Sequence, residues 1–471
     1  MTFLPTTAEE IKALDWQQAD IILISGDTYI DSPFIGIALI GRILAHAGFK
    51  VAIIAQPDTD SDRDITRLGE PRLFWGVSGG SVDSMVANYT ASYKHRNSDD
   101  FTPGGHNTRR PDRAVIAYTN LIRRFFKNTK PVVLGGIETS LRRIAHYDAW
   151  SNRVRKSILF DAKADILVYG MAEKTIVTLA ERLNQGLDFR NIPGLCHAAA
   201  NPPEHPFIEL PDFNSVATDP DALIAMFHAF YQNNDPITAQ SLVQRHDNRY
   251  LIQNPPSALL SREELDHIHD LPFTRSVHPY YQSQGKVLAQ DTIQFALTTH
   301  RGCYGECNFC AIAVHQGRTV ISRSPDSILR EAQRLTKHPD FKGIILDVGG
   351  PTANMYGFEC PKKIVKGVCQ HQRCLTPKIC PTLKINHQTQ LKLLRSLRAL
   401  PGVKRVFVAS GVRYDLILAD RAKGLSYLKK LVAHQVSGQM KVAPEHSQDQ
   451  VLALMGKPGI NPLLEFKHLF E

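Results

Sequence analysis

Two long stretches of the chain repeat one pattern: a short apolar run that stops at glycine, a segment with apolar residues at helical spacing, then another short apolar run. The first stretch holds "ADIILISGDTY" (19–29), "FIGIALIGRILAHAGF" (34–49) and "KVAIIAQP" (50–57). Strands joined by a helix lie parallel with a right-handed crossover, and strands covered on both faces read as continuous apolar runs. "LFWGVSGG" (73–80), "KPVVLGGIE" (130–138) and "ADILVYGMAEK" (164–174) extend the series, with helical segments near 113–126 and 174–185. The pattern predicts an α/β fold in which residues 1–215 form a doubly wound parallel-sheet domain. Its crevice would lie at the carboxyl ends of the strands, where "GGSVDS" and "GGIETS" are loops or tight glycine turns. Residues 216–290 read as a linker or bridging segment. From 291 the alternation resumes: strands at 291–303, 343–351, 404–415 and 438–446, with helices at 324–338, 387–400 and 418–435. That predicts a β/α barrel over 291–471, whose functional loops follow the strands.

No apolar run reaches the ~18 residues that cross a bilayer, and the amino terminus lacks the basic and apolar regions of a secretory signal. The expectation is a cytoplasmic protein without a membrane partner, whose thiols stay reduced. The formal charge of +9 allows an anionic partner. The basic clusters Arg109, Arg110, Arg113 and Arg142, Arg143 do not interleave with aromatics as a single-strand-binding groove requires.

Three of the eight cysteines, Cys303, Cys307 and Cys310, fall in "HRGCYGECNFCAIAVHQGR" immediately after the first strand of the second series. Structural zinc takes four ligands in two pairs, and no second pair is close by. Thiolates at such short spacing hold iron–sulfur clusters, and three on a four-iron cluster leave one iron open to a small molecule. Unligated thiols and an incomplete zinc site are the competing readings.

The triplet with Phe309 before its third cysteine, "LDVGGPTANMYG" after the next strand, and "FVASGVRYD" together resemble the YgiQ family of radical SAM proteins along essentially the whole chain. The resemblance implies a [4Fe-4S] cluster on Cys303, Cys307 and Cys310, with S-adenosylmethionine chelating its fourth iron. It further implies reductive cleavage of S-adenosylmethionine to a 5′-deoxyadenosyl radical that abstracts hydrogen from an unknown substrate, fed by an electron donor of flavodoxin or ferredoxin type. Phe309 would approach the adenine, and Gly349 and Gly350 would let backbone close on the methionine moiety. Ser410, Arg413 and Glu445 would meet ribose or carboxylate. No catalytic side chain is identified.

Cys360, Cys369, Cys374 and Cys380 form a second group in the insertion after the second strand, a candidate second metal site for zinc or Fe-S, with five lysines or arginines between its ends. The first 290 residues hold only Cys196, so they cannot supply the three-cysteine site of methylthio-transferring relatives. The first domain (1–215) is similar to the flavodoxin or cobalamin-binding type, but no D-x-H-x-x-G occurs, which argues against cobalamin. Four strand-helix units are counted where the resemblance implies six, so the barrel is expected to be partial and the chain a shortened form. The alternative function is a non-catalytic Fe-S or zinc protein that binds RNA or a protein partner.

Overall fold

The computed structural model describes residues 2–471, which divide into two compact units, one made of the residues up to Ala258 with Leu271–Asp291, the other of Leu259–Asp270 with Thr292–Glu471. No helix among the described residues is long and apolar enough to cross a membrane.

The first unit is built on a nine-stranded sheet. Strands β1 (Ile21–Ser25), β2 (Val51–Ala55), β3 (Phe74–Ser78), β4 (Val132–Gly135) and β5 (Ile166–Val168) run parallel in the order β2-β1-β3-β4-β5. Every residue of β1 and β2 is buried, as their unbroken apolar sequences require. Helices α1 (Gly36–His46) and α2 (Ala114–Phe125) are crossovers between parallel strands, whereas α3 (Glu173–Gln185), ended by Gly186 at φ 68°, leads from β5 to an antiparallel neighbour. Then the sheet turns mixed: β6 (Leu195–Ala199), β7 (Phe207–Leu210), β8 (Ser241–His246) and β9 (Arg249–Gln253) continue it in the order β6-β9-β8-β7.

Residues 216–290 are therefore not a linker. β8 and β9 form a hairpin whose turn puts Asp247 at φ 55°, and they lie inside the sheet. Helix α4 (Arg262–Asp270) belongs instead to the second unit, where Asp270 pairs with Arg330 and Arg334 and Asp266 accepts from the amide of Ser324.

The strand order reverses between β1 and β3, which makes their carboxyl ends the crevice of such a sheet. Here the chain fills it. Arg110, from the segment between β3 and α2, donates to Asp27 Oδ1 (2.7 Å), Asp99 Oδ2 (3.0 Å) and the carbonyl of Gly79 (3.0 Å). All three charged side chains are nearly sealed from solvent. The loops expected there do meet: Glu138 of "GGIETS" accepts from the amide of Ser84 of "GGSVDS" at 3.0 Å. Gly26 and Gly79 touch so closely that a Cβ on Gly26 would stand 2.0 Å from the Gly79 oxygen.

In the second unit, β10 (Ala296–Thr298) pairs in parallel with β12 (Asp347–Gly349), and β11 (Ile344–Ile345) with β13 (Arg405–Val406). Helix α5 (Pro325–Leu335), capped by Ser324 as expected, and α6 (Gln388–Arg398) pack on these strands through Ile328, Leu335, Leu394 and Leu397, around Leu297, Ile345, Val348 and Val406. The expected strand at 404–415 is regular only in β13, after which the chain enters α7 (Tyr414–Ala419). The expected third helix is broken at Asp420, which accepts from the backbone of His387 and Lys423, so α8 (Gly424–His434) is separate. The fourth expected strand, 438–446, is reduced to one parallel bridge, Val412 to Val442. Pro444 has no N–H to give a ladder, and Glu445 takes φ 70°.

Candidate metal centre

The cysteine loop leaves β10 at the point where Thr299 donates its amide to the carbonyl of Gly349 (2.7 Å). His300–Arg301 then pairs antiparallel with Ile321–Ser322 and closes the base of the loop. Gly302 turns at φ 78°, where a Cβ would lie 2.1 Å from the carbonyl oxygen of Thr319. Glu306, also left-handed at φ 50°, sends its carboxylate into the protein to meet Lys363 Nζ (2.8 Å) and Arg318 Nη1 (3.6 Å), all three buried. Asn308 ties the far side of the loop to the carbonyls of Leu454 and Met455.

The thiols gather around Gly305. A Cβ there would stand 3.3 Å from Cys303 Sγ, 3.5 Å from Cys307 Sγ and 3.3 Å from Arg413 Nη1, so the missing side chain leaves the space between them. Cys303 Sγ accepts from the amide of Gly305 (3.3 Å) and lies 3.5 Å from Thr352 Oγ1 and 3.9 Å from Met355 Sδ. Arg413 Nη1 stands 3.9 Å from Cys307 Sγ. Burial pushes the Cys307 and Cys310 thiols up, and the cations Arg413 and Lys457 at Cys307, and Lys457 at Cys310, pull the other way. Among the described residues no three Cys, His, Asp or Glu side chains converge closely enough to hold one metal ion. A cluster asks for less convergence, because each thiolate binds a different iron. Three free thiols, a glycine-lined space between two of them and two adjacent cations fit an anionic iron–sulfur cluster.

The other anticipated residues fall around this loop. Phe309 is 51% exposed, its ring 6.0 Å from Lys457 Nζ. Gly349 and Gly350 end β12 with no room for side chains. A Cβ on Gly349 would meet Ser410 Oγ at 2.9 Å, and one on Gly350 would meet the His300 ring at 2.7 Å. Ser410 is already engaged, its hydroxyl and amide both on the Asp347 carboxylate. Arg413 forks onto Asp415 and faces the thiols. Glu445 pairs with Lys457 (3.5 Å), whose ammonium also donates to the carbonyl of Ala443. Sequence reasoning missed Lys457, Asp347 and His300. His300 is buried against Thr299, and burial lowers its ring to about 4, so it stands neutral behind the glycines.

Gly350→Ala is expected to overpack this buried imidazole. The cost is about 1–3 kcal/mol. Calorimetry should show the melting transition of the second unit falling by roughly 3–10 °C, and an unchanged transition would show that His300 moves aside freely.

The second cysteine group is partly assembled. Thr382 Oγ1 lies 3.0 Å from Cys380 Sγ and 3.9 Å from Cys360 Sγ, and the amide of Cys380 donates to the carbonyl of Cys374 (2.8 Å). Cys360 and Cys374 are buried in a small core with Tyr304, Met355 and Phe358, against which Cys303 packs. Burial pushes the Cys374 thiol up to about 11 against the pull of Lys363.

The family model described as Radical SAM N-terminal matches residues 3–296. The chain is 56% identical over 471 residues to the UPF0313 protein FN0734 of Fusobacterium nucleatum, covering all of this chain and 83% of that protein. It is 51% identical to a UPF0313 protein of Thermotoga maritima over 472 residues, covering 82% of the latter. Two solved structures share the fold. TsrM of Kitasatospora setae, a radical S-adenosylmethionine methyltransferase solved with cobalamin and a [4Fe-4S] cluster, aligns with TM-score 0.51 at 15% identity over 96% of this chain and 65% of its own. OxsB, a cobalamin-dependent S-adenosylmethionine radical enzyme solved with aqua-cobalamin and S-adenosylmethionine, aligns with TM-score 0.53 at 11% identity over 96% of this chain and 48% of its own.

Proposed function

The chain belongs to the UPF0313 family of radical SAM proteins, and from that premise we propose that it reductively cleaves S-adenosylmethionine in order to take a hydrogen atom from a substrate. The observation that carries the reading is the placing of the Cys303, Cys307 and Cys310 loop at the end of a parallel strand, beside the Gly349–Gly350 turn and two cations. When bound by these thiolates, a [4Fe-4S] cluster supplies an open iron for S-adenosylmethionine and passes on the single electron that the cleavage consumes.

The protein's own part is positioning and charge. Arg413 and Lys457 offset the negative charge of three thiolates and of a methionine carboxylate. The glycine pair brings backbone groups close to the amino-acid end of the cofactor, with the Ser410–Asp347 pair immediately behind Gly349. The exposed ring of Phe309 offers a face for the adenine. A flavodoxin-type or ferredoxin-type donor would deliver the electron, so that one electron and one S-adenosylmethionine give methionine and, with the substrate's hydrogen atom, 5′-deoxyadenosine.

We read the first unit as working without the cobalamin that TsrM and OxsB bind. The ends of β1 and β3 are occupied by the paired Arg110, Asp27 and Asp99, and no D-x-H-x-x-G occurs to supply a lower-ligand histidine. No step is routed through it, and the domain is read as a structural or substrate-binding module.

The test is anaerobic: the reconstituted chain, dithionite and S-adenosylmethionine, with no cobalamin added, should form methionine and 5′-deoxyadenosine together. A chain that holds iron but leaves S-adenosylmethionine intact would overturn the proposal.

A further inference from the structure

The second cysteine group has no part in the reading above, yet it sits in an unusual segment. Glu359 and Lys384 bridge antiparallel, and between them the chain runs through a single short helix, Pro361–Lys366. A long loop with so little regular structure inside a compact unit needs something else to order it. Its core is two buried cysteines and a few apolar residues. The other two cysteines, Cys369 and Cys380, are partly exposed.

Three of the four cysteines approach one another. Cys360 and Cys380 flank Thr382, and Cys374 is hydrogen-bonded through its backbone to Cys380. A second observation comes from Lys363, which is sealed from solvent. Its ammonium has three protons to place. One goes to Glu306 Oε1 (2.8 Å), one to the carbonyl of Arg318 (2.9 Å), and the Cys374 side chain is its third partner. This buried cation therefore stands between Glu306 of the first cysteine loop and Cys374 of the insertion. The sulfurs are not gathered tightly enough for one ion, whereas the ligands of a cluster are spread over several irons.

We propose that Cys360, Cys369, Cys374 and Cys380 hold a second iron–sulfur cluster, with every iron bound to the protein, that orders this insertion and through Lys363 braces the loop of the first. Four protein thiolates leave no iron open to a small molecule, which makes the centre structural or electron-transferring. Loading it would release the thiol protons to solvent, with Lys363 left facing a ligated sulfur.

The proposal does not depend on the proposed activity, and the experiment separates the two. Iron, acid-labile sulfide and zinc are to be counted per chain after anaerobic reconstitution of three full-length chains. These are the wild type, the triple variant Cys303→Ala, Cys307→Ala, Cys310→Ala, and the double variant Cys369→Ser, Cys380→Ser, which changes only partly exposed positions and spares the buried pair. The wild type should bind about eight irons and each variant about four, with sulfide in step. About four irons in the wild type, none in the triple variant and no change in the double variant would overturn the second cluster. One zinc that survives in the triple variant and disappears in the double variant would overturn it in favour of a zinc site. Wild-type iron retained in full by the triple variant would instead overturn the first cluster.

Discussion

A Cys307→Ala chain is expected to lose the iron of the first site and with it all detectable formation of 5′-deoxyadenosine. The argument rests on how few ligands the site has. Cys303, Cys307 and Cys310 are all that the loop supplies, and Cys307 is the one that faces Arg413 and shares the space beside Gly305. With one thiolate gone, two remain for a cluster that needs three to stay anchored while keeping an iron open. Cys303→Ala and Cys310→Ala should behave alike. Cys196→Ala is the control: that thiol is fully buried in β6, burial pushes it up to about 12, and its removal should leave the iron unchanged. Iron analysis and product chromatography on the four variants would check this. Full iron and activity in Cys307→Ala would show that the cluster assignment is wrong.

Legibility followed burial. β1 to β4 could be read directly because a strand covered on both faces is apolar throughout, and its end is marked by the glycine that lets the chain turn. The triplet and the Gly349–Gly350 pair could be read because their spacing is local. What failed depended on partners far away in sequence. β8 and β9 were hidden because "SLVQRHDNRYLIQ" alternates weakly, although the Asp-Asn turn between two β-rich runs was a usable hairpin signal. The 438–446 segment looked like a strand, but Pro444 and the left-handed Glu445 leave it without a ladder. The surroundings of Arg413 were not legible, since nothing in "GVRYD" says that its guanidinium forks onto Asp415 and turns towards Cys307. Lys457 carries no motif at all. It lies beside the cysteine loop, over the Phe309 ring, where the Asn308 contacts hold the segment around Met455.

Glu306→Gln should destabilise the second unit more than any change on its surface. The carboxylate is 2% exposed and faces two buried cations, Lys363 at 2.8 Å and Arg318 at 3.6 Å. Burial pulls the Lys363 ammonium down, and Glu306 and then Cys374 more than reverse it. An amide keeps the shape of Glu306 and its left-handed backbone but withdraws the charge, leaving a buried ammonium without its carboxylate. Breaking a buried pair in this way costs about 3–5 kcal/mol, which in a unit of this size lowers the melting transition by roughly 6–20 °C. A surface pair such as Arg262 with Glu359, each about half exposed, should cost under about 1 kcal/mol when broken. The discriminating chain is the double variant Glu306→Gln, Lys363→Met. If the loss comes from the stranded charge, removing the lysine as well should recover a good part of it. If it comes from lost packing of the loop, the double variant should be worse than either single one. Calorimetry on the four chains of that cycle decides between them, and a drop of less than about 1 kcal/mol in Glu306→Gln would mean that the pair is far better hydrated than its burial implies.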